Sequence, residues 1–110
     1  MFLYIENMQA TKSLVDFEAD GVKYCVMKSA LKNALKKVER WQYISGCTDF
    51  GVKLIGLIAK ADDNNKRKFL KGFPEEVCAY FMWFHKRGFG KNYTSDNEFF
   101  TAMYEQLEEK

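Results

Sequence analysis

The stretch LVDFEADGVKYCVM, residues 14–27, decides the fold class that this sequence predicts. Val15 and Phe17 alternate with acidic residues, and the two-residue alternation continues through the second half of the stretch. Asp20 and Gly21, between the halves, form a dipeptide that two-residue type I′ turns prefer. The stretch therefore predicts a β-hairpin.

Helices are predicted after this hairpin, because from Lys28 onward apolar residues recur every three or four positions. A hairpin alone is marginal in water, so we expect it to pack on these helices, with the apolar run 2–5 as a candidate third strand. The predicted class is α+β and predominantly helical: an N-terminal β-hairpin or small sheet packed on four to five helices, with an all-α fold as the alternative. The expected helices cover 28 to near 46, 52–61, 66–71 as one or two turns, 74 toward 88, and 95–107.

Several helix starts carry capping signals. Thr48 or Asp49 is expected to cap the second helix, which is apolar around most of its circumference and is therefore predicted to be central. Pro74 suits the first position of a helix. Ser95 and Glu98 have the spacing of a capping box.

Length and cysteine content indicate one intracellular domain. The chain has 110 residues and 47% hydrophobic composition, enough for a single domain, 1–110, with a core that needs no metal or disulfide. Cys25, Cys47 and Cys78 are odd in number and widely spaced, which predicts free thiols in a reducing compartment, buried as small hydrophobes.

No targeting or membrane segment is expected from the sequence. The apolar start lacks a basic region and reaches Glu6 almost at once, unlike a signal peptide. The longest apolar stretches, 54–59 and 77–84, are far shorter than the roughly 20 residues of a membrane span. We therefore expect a cytoplasmic protein with no membrane partner.

The formal charge of +2 conceals an uneven distribution. Residues 21–91 hold 15 Lys and Arg against six acids, while 1–20 and 92–110 carry net charges of −3 and −4. We call residues 21–91 the basic centre. Its neighbours along the chain are acidic, so the ends either fold over the centre or leave it free to bind.

Catalysis is not expected, and neither is a cofactor or a metal. His85 is the single histidine, and the cations Lys86 and Arg87 beside it would disfavour the imidazolium that acid–base catalysis requires. A structural, partly buried histidine is the simpler interpretation. A zinc site would need four ligands, and nothing stands beside His85 at metal spacing.

The glycine-rich segment 87–91 has two incomplete motifs. A phosphate-binding loop requires Ser or Thr after Gly-Lys, but Asn92 follows Lys91. The RNA-binding signature begins at Arg87 and fails at Lys91, where an aromatic residue is required. We therefore predict a helix C-cap followed by a flexible glycine loop.

The candidate binding surface combines cations with interleaved aromatic residues. Such a surface suits an acidic protein surface, a nucleoprotein complex, or a nucleic-acid backbone with stacked bases. Solvated helix faces and docking of the acidic ends are the competing interpretations. The predicted site comprises Lys66, Arg67, Lys68, Phe69, Lys71, Trp83, Lys86, Arg87, Phe89, Lys91 and Tyr93, and a second stripe comprises Lys28, Lys32, Lys36 and Arg40.

The aromatic run 80–84 suggests a further contact. Five consecutive large side chains cannot all face one way when each residue turns the helix by about 100°. Some of them must meet another element, a second copy or water. A homodimer or a partner surface that uses Trp83 is therefore a hypothesis.

A spaced set of residues lies across the third and fourth predicted helices: Ala61, Asp62, Asn65, Lys68, Leu70, Gly72, Phe73, Pro74, Glu75, Glu76 and Val77. This pattern resembles small helical accessory proteins encoded by bacteriophages and other bacterial mobile elements. The resemblance implies a compact binding factor in the bacterial host cytoplasm, in a class that includes host-takeover factors and inhibitors of bacterial defence such as anti-CRISPR proteins. The opening hairpin and helix are also similar to phage tail-assembly accessory proteins, which implies a homo-oligomeric structural role as an alternative.

Overall fold

The computed structural model describes residues 3–4, 13–44, 46 and 48–108. In these ranges the chain forms an N-terminal sheet, five helices and a second, very small hairpin, which confirms the predicted α+β class. The elements are β1 Leu3–Tyr4, β2 Leu14–Ala19, β3 Val22–Met27, α1 Lys28–Tyr43, α2 Phe50–Lys60, α3 Asp63–Gly72, α4 Pro74–His85, β4 Arg87–Gly88, β5 Lys91–Asn92 and α5 Asp96–Gln106.

The N-terminal sheet is antiparallel, with strand order β1-β2-β3. Asp20 and Gly21 have φ angles of 52° and 79°, as the predicted type I′ turn requires. This turn sets a register in which Ala19 pairs with Val22, so that β2 buries Val15, Phe17 and Ala19 on one face. The predicted hairpin is therefore confirmed, and β1 lies within the predicted third strand.

Side-chain caps begin three of the helices. The Asp49 carboxylate accepts from Gly51 N at 2.7 Å, and the Asp62 carboxylate accepts from Asn65 N at 2.8 Å. Ser95 Oγ caps α5 in the same way. The Asp62 cap begins α3 several residues earlier than predicted, so α3 is a ten-residue helix rather than one or two turns.

The core lies between the buried face of the sheet and the helices, with α4 packed against α1, α2 and α3. Val77 and Cys78 of α4 are fully buried, as are Leu35 of α1, Ile55 of α2 and Phe99 of α5. The most central helix is thus α4. The side of α2 that carries Ile55 is buried, as a central helix requires, but Phe50 and Leu57 on its other side are exposed.

The helix C-cap and flexible glycine loop predicted for segment 87–91 differ from the structure. Lys86, not a glycine, takes the left-handed conformation at the end of α4, with φ 50°. Gly88 lies in β4, where an added Cβ would come 2.4 Å from Met103 Sδ. Phe89 and Gly90, at φ 53° and 78°, form the turn to β5, so the segment is a tight hairpin rather than a flexible loop.

The cysteines differ in environment. Cys78 and Cys25 are free thiols, as predicted, but Cys25 is exposed on β3, and Cys47 lies outside the described residues. Burial raises the pKa of Cys78, whereas a hydrogen bond with Asp16 is the main cause that raises the pKa of Cys25. Within the described ranges, no helix combines the length and apolarity that crossing a bilayer demands.

Candidate binding surfaces

The predicted surface is divided by the antiparallel arrangement of α3 and α4. Phe73 alone connects the two helices, and Lys66 Nζ lies 5.7 Å from the ring centroid of Phe81 in the middle of α4. The α3 end at Lys71 is therefore beside the start of α4, whereas Arg87 follows its end. Because α4 has 12 residues, about 18 Å of helix separates the level of Lys71 from that of Arg87.

The α3 patch consists of Lys68 and Lys71, which are both exposed and three residues apart on one helical face. Arg67 turns away from them and forms an ion pair with Asp20 in the hairpin turn, with Arg67 Nε 3.1 Å from the carboxylate. Phe69 is half-buried against the core. Two of the five predicted α3 residues therefore remain as an open basic patch.

The hairpin cations are Arg87 and Lys91, which are exposed on β4 and β5. Arg87 pairs with Asn92 and Gly88 with Lys91, so the two cations project from opposite faces of the hairpin. Phe89 and Tyr93, predicted as stacking residues, are half-buried and pack on the core. The Tyr93 ring lies edge-on to Phe99, with centroids 6.2 Å apart. Here too the cations are open while the rings are used in packing.

Lys86 is half-buried and makes its contacts within the protein. Its Nζ lies 2.7 Å from Asp96 Oδ1 and donates to the Trp83 carbonyl oxygen at 3.0 Å. The same ammonium group stands 4.5 Å from the centroid of the Trp83 ring, in cation–π range. Lys86 is thus neutralised by contacts within the chain.

Trp83 is surrounded by other aromatic rings. It is edge-on to Trp41 at 5.6 Å and lies 5.9 Å from Tyr80. We call Trp41, Tyr80, Trp83, Lys86 and Asp96 the indole cluster. Since Trp83 is half-buried within it, its ring is engaged intramolecularly, and a homodimer through Trp83 stays a prediction.

Asp96 is the acidic member of the indole cluster. Desolvation raises its pKa, but hydrogen bonds with Lys86 and Tyr43 help to outweigh this, and the pKa lies below its ordinary value. The Tyr43 hydroxyl donates to the Asp96 carboxylate, and this bond raises the pKa of Tyr43. The buried Trp83 indole N–H has no hydrogen-bond partner in the described part of the chain.

The acidic ends fold partly over the basic centre. Asp20, from the N-terminal acidic segment, pairs with Arg67, and Asp96, from the C-terminal one, pairs with Lys86. The Arg67–Asp20 contact joins residues 47 positions apart, whereas Lys86 and Asp96 are near neighbours along the chain. The sequence left this question open, and the structure gives an intermediate answer: some cations are covered and others are not.

The second predicted stripe, on α1, is not uniform. Lys28 is buried, with 5% exposure, whereas Lys36 is exposed. Arg40 Nη1 lies 3.8 Å from Asp49 Oδ2. These positions therefore do not present one continuous basic face.

A surface that the sequence did not predict lies on α2. Phe50 and Leu57 are 71% and 57% exposed, and Lys53 and Lys60 are exposed beside them. We call these four residues the α2 outer face. Together with Trp41, part of this face lines a shallow groove of about 410 Å³. In the sequence, the apolar circumference of α2 indicated that the helix would pack on the core, but it did not show which side would stay exposed.

His85 is exposed, not partly buried as predicted. Its ring stacks on Phe81 with centroids 6.0 Å apart and lies edge-on to Phe84. Within the described ranges, His, Cys, Asp and Glu side chains nowhere form a group of three suited to a metal ion.

Comparison of the chain with protein-family models, curated proteins and solved structures finds no match. The resemblance to phage and mobile-element accessory proteins therefore stays a prediction. The positions of charged and apolar side chains carry the functional argument.

Proposed function

We propose that this protein is a small non-enzymatic binding protein that engages an acidic surface of a partner protein. The observation that carries the proposal is the division of the cations. Lys68, Lys71, Arg87 and Lys91 are exposed and make no ion pair with other described residues, whereas Arg67 and Lys86 beside them are paired. Exposed, unpaired cations attract an acidic partner because the electrostatic potentials of the two surfaces are complementary.

A protein partner is favoured over single-stranded nucleic acid. Binding of unpaired bases commonly uses aromatic platforms beside the cations. Phe69, Phe89 and Tyr93 pack on the core instead, so the three rings that were predicted to stack on bases are committed to folding. Exposed cations at separate positions suit carboxylates held apart on a structured partner.

The surroundings of His85 do not favour a catalytic role. Its ring neighbours are Phe81 and Phe84, which have no group that donates, accepts or attacks. The resemblance of segment 61–77 supports a biological setting in which the protein is a phage or mobile-element accessory factor. In that setting it modulates a host protein or nucleoprotein complex by stoichiometric binding.

A pull-down from lysate of the cell that expresses the gene tests this proposal. Two variants are compared with the wild type, Lys68→Glu/Lys71→Glu and Arg87→Glu/Lys91→Glu, each with and without nuclease. Lys23→Glu/Lys36→Glu is the charge-matched control, since both control lysines are exposed. We expect nuclease-resistant capture of an acidic protein that falls by about tenfold in at least one test variant and persists in the control.

Retention of every partner by both test variants contradicts the proposal. If nuclease treatment abolishes all capture, the partner is nucleic acid and not an acidic protein. In that case affinity should also fall steeply with salt, since released counterions would drive binding.

A further inference from the structure

The α2 outer face forms one continuous stripe. Phe50, Lys53, Leu57 and Lys60 are spaced by three, four and three residues, which places them on one side of the helix. The opposite side of α2 is buried through Leu54, Ile55 and Ile58. A stripe of exposed apolar residues flanked by cations is typical of an interaction surface.

A depression beside this stripe gives it shape. Trp41, Val52 and Gly56 line the groove together with Lys53, Leu57 and Lys60. A Cβ added at Gly56 would lie 3.3 Å from Trp41 Nε1, so the missing side chain lets the indole lie close against the α2 backbone. The result is an apolar floor with an ammonium group at each of two positions on its rim.

We propose that this groove binds an acidic amphipathic segment of a partner protein. Apolar side chains of the segment would lie in the groove beside Trp41 and Leu57. Its carboxylates would meet Lys53 and Lys60, which are exposed and in no ion pair with other described residues. This is the helix-in-groove mode of recognition, in which apolar anchors supply affinity and charges select the partner.

Charge argues against a second copy as the occupant. A symmetric dimer through the α2 outer face would bring Lys53 and Lys60 of both copies into one interface, with like charges opposed. Nucleic acid is disfavoured because Leu57 and Val52 are aliphatic, and the Trp41 ring, the aromatic member of the lining, is already packed edge-on against Tyr80 and Trp83. An acidic, partly apolar protein segment satisfies both the floor and the rim.

This site is separate from the open cations of α3 and β4–β5. It uses a different helix, and none of its four defining residues belongs to the surface proposed above. Either proposal can therefore fail alone, because the variants that test them do not overlap.

The test is a selection of random peptides by mRNA display against the wild-type protein, after which the selected peptides are titrated against both the wild type and Leu57→Asp. Position 57 is exposed, so this variant should keep the fold, which circular dichroism verifies. We expect selected peptides that are rich in Asp and Glu, with apolar residues at helical spacing. They should bind Leu57→Asp at least about tenfold more weakly than the wild type.

Charge reversal sharpens the result. Lys53→Glu/Lys60→Glu should bind the acidic peptides about tenfold more weakly and select basic amphipathic peptides instead, whereas the charge-matched control Lys23→Glu/Lys36→Glu should bind the acidic peptides as the wild type does. In an isotope-labelled sample the peptides should shift α2 amides and the Trp41 indole signal. Selected peptides that bind Leu57→Asp as tightly as the wild type, or a selection that yields no binding peptide, would overturn the proposal. So would a dimer lost in Leu57→Asp, or equal occupation of the groove by a single-stranded oligonucleotide or an anionic lipid vesicle.

Discussion

The indole cluster and the α2 outer face contain the same kinds of side chain and differ in their neighbours. In the cluster, Lys86 lies between the Trp83 ring and the Asp96 carboxylate. On α2, Lys53 and Lys60 flank the exposed Leu57, and the described residues supply them with no carboxylate. Aromatic and basic composition therefore marks a structural cluster in one region and an open surface in the other. The difference is the Asp96 carboxylate, which α5 places beside Lys86.

The largest expected effect is the loss of the central ring of the indole cluster. Trp83→Ala removes the edge-on contact with Trp41, the tilted contact with Tyr80 and the ring beneath Lys86. We expect the free energy of unfolding to fall by about 3 kcal/mol, at the lower end for a tryptophan truncation because the ring is only half-buried. Urea denaturation measures it. Leu57→Ala, on the exposed face, should change stability by no more than about 0.5 kcal/mol.

Equal losses in these two variants would contradict the distinction between the regions. The same experiment bears on the dimer hypothesis. If Trp83 were mainly an interface residue, Trp83→Ala would stay stable as a monomer. A fold-destabilised variant is expected instead.

A smaller effect is expected from removing the cation. Lys86→Ala loses the Asp96 ion pair and the cation–π contact, so we expect a cost of about 1 kcal/mol. Lys53→Ala is the matched change on α2 and should be neutral within about 0.5 kcal/mol. Thermal unfolding of both variants in the same buffer checks this. A neutral Lys86→Ala would show that the pair is not stabilising.

The Asp96 carboxylate should make stability sensitive to acid. Its pKa is lowered on folding, so its contribution is present above the unfolded value of about 3.9 and is lost as pH falls through the folded pKa. Unfolding free energies measured from about pH 6 down to about pH 2 should therefore fall more in the wild type than in Asp96→Asn. Parallel pH profiles would exclude a role for Asp96 in this loss.

The smallest expected effect concerns the ion pair that covers part of α3. Arg67→Ala loses a partly exposed contact with Asp20 and should cost about 0.5 kcal/mol, less at high salt. Lys68→Ala, one residue along, should have no measurable effect on stability. A double-mutant cycle with Asp20→Asn isolates the pair. A coupling energy of zero would mean that Arg67 is as available for binding as Lys68.

Much of the fold was predictable because its signals are local. The Asp20-Gly21 turn and the Asp49 and Ser95 caps depend on residues a few positions apart. The β4–β5 hairpin was missed because the role of Gly88 depends on Met103, in another helix. Local sequence shows a glycine but not the side chain that will lie against it.

The candidate site was predictable only as a set of residue types. Lys68 and Lys71 lie on an exposed face, as a charged helix stripe indicates, but Arg67 finds a carboxylate 47 residues away. Nothing local distinguishes Lys86, which is paired, from Lys91, which is open. The exposed side of α2 was missed for a related reason, since apolar residues around a helix do not show which side the core will cover.

The division of the basic centre into paired and open cations can be measured directly by lysine reactivity. Limited acetylation of the folded protein, read by peptide mass spectrometry, gives a rate for each lysine. Lys86, whose side chain is 25% exposed and paired with Asp96, should react several-fold more slowly than the exposed Lys53 and Lys68. Asp96→Asn should accelerate Lys86 alone. If Lys86 in the wild type reacts as fast as Lys68, the cations are not divided in this way, and the assignment of open binding surfaces fails with it.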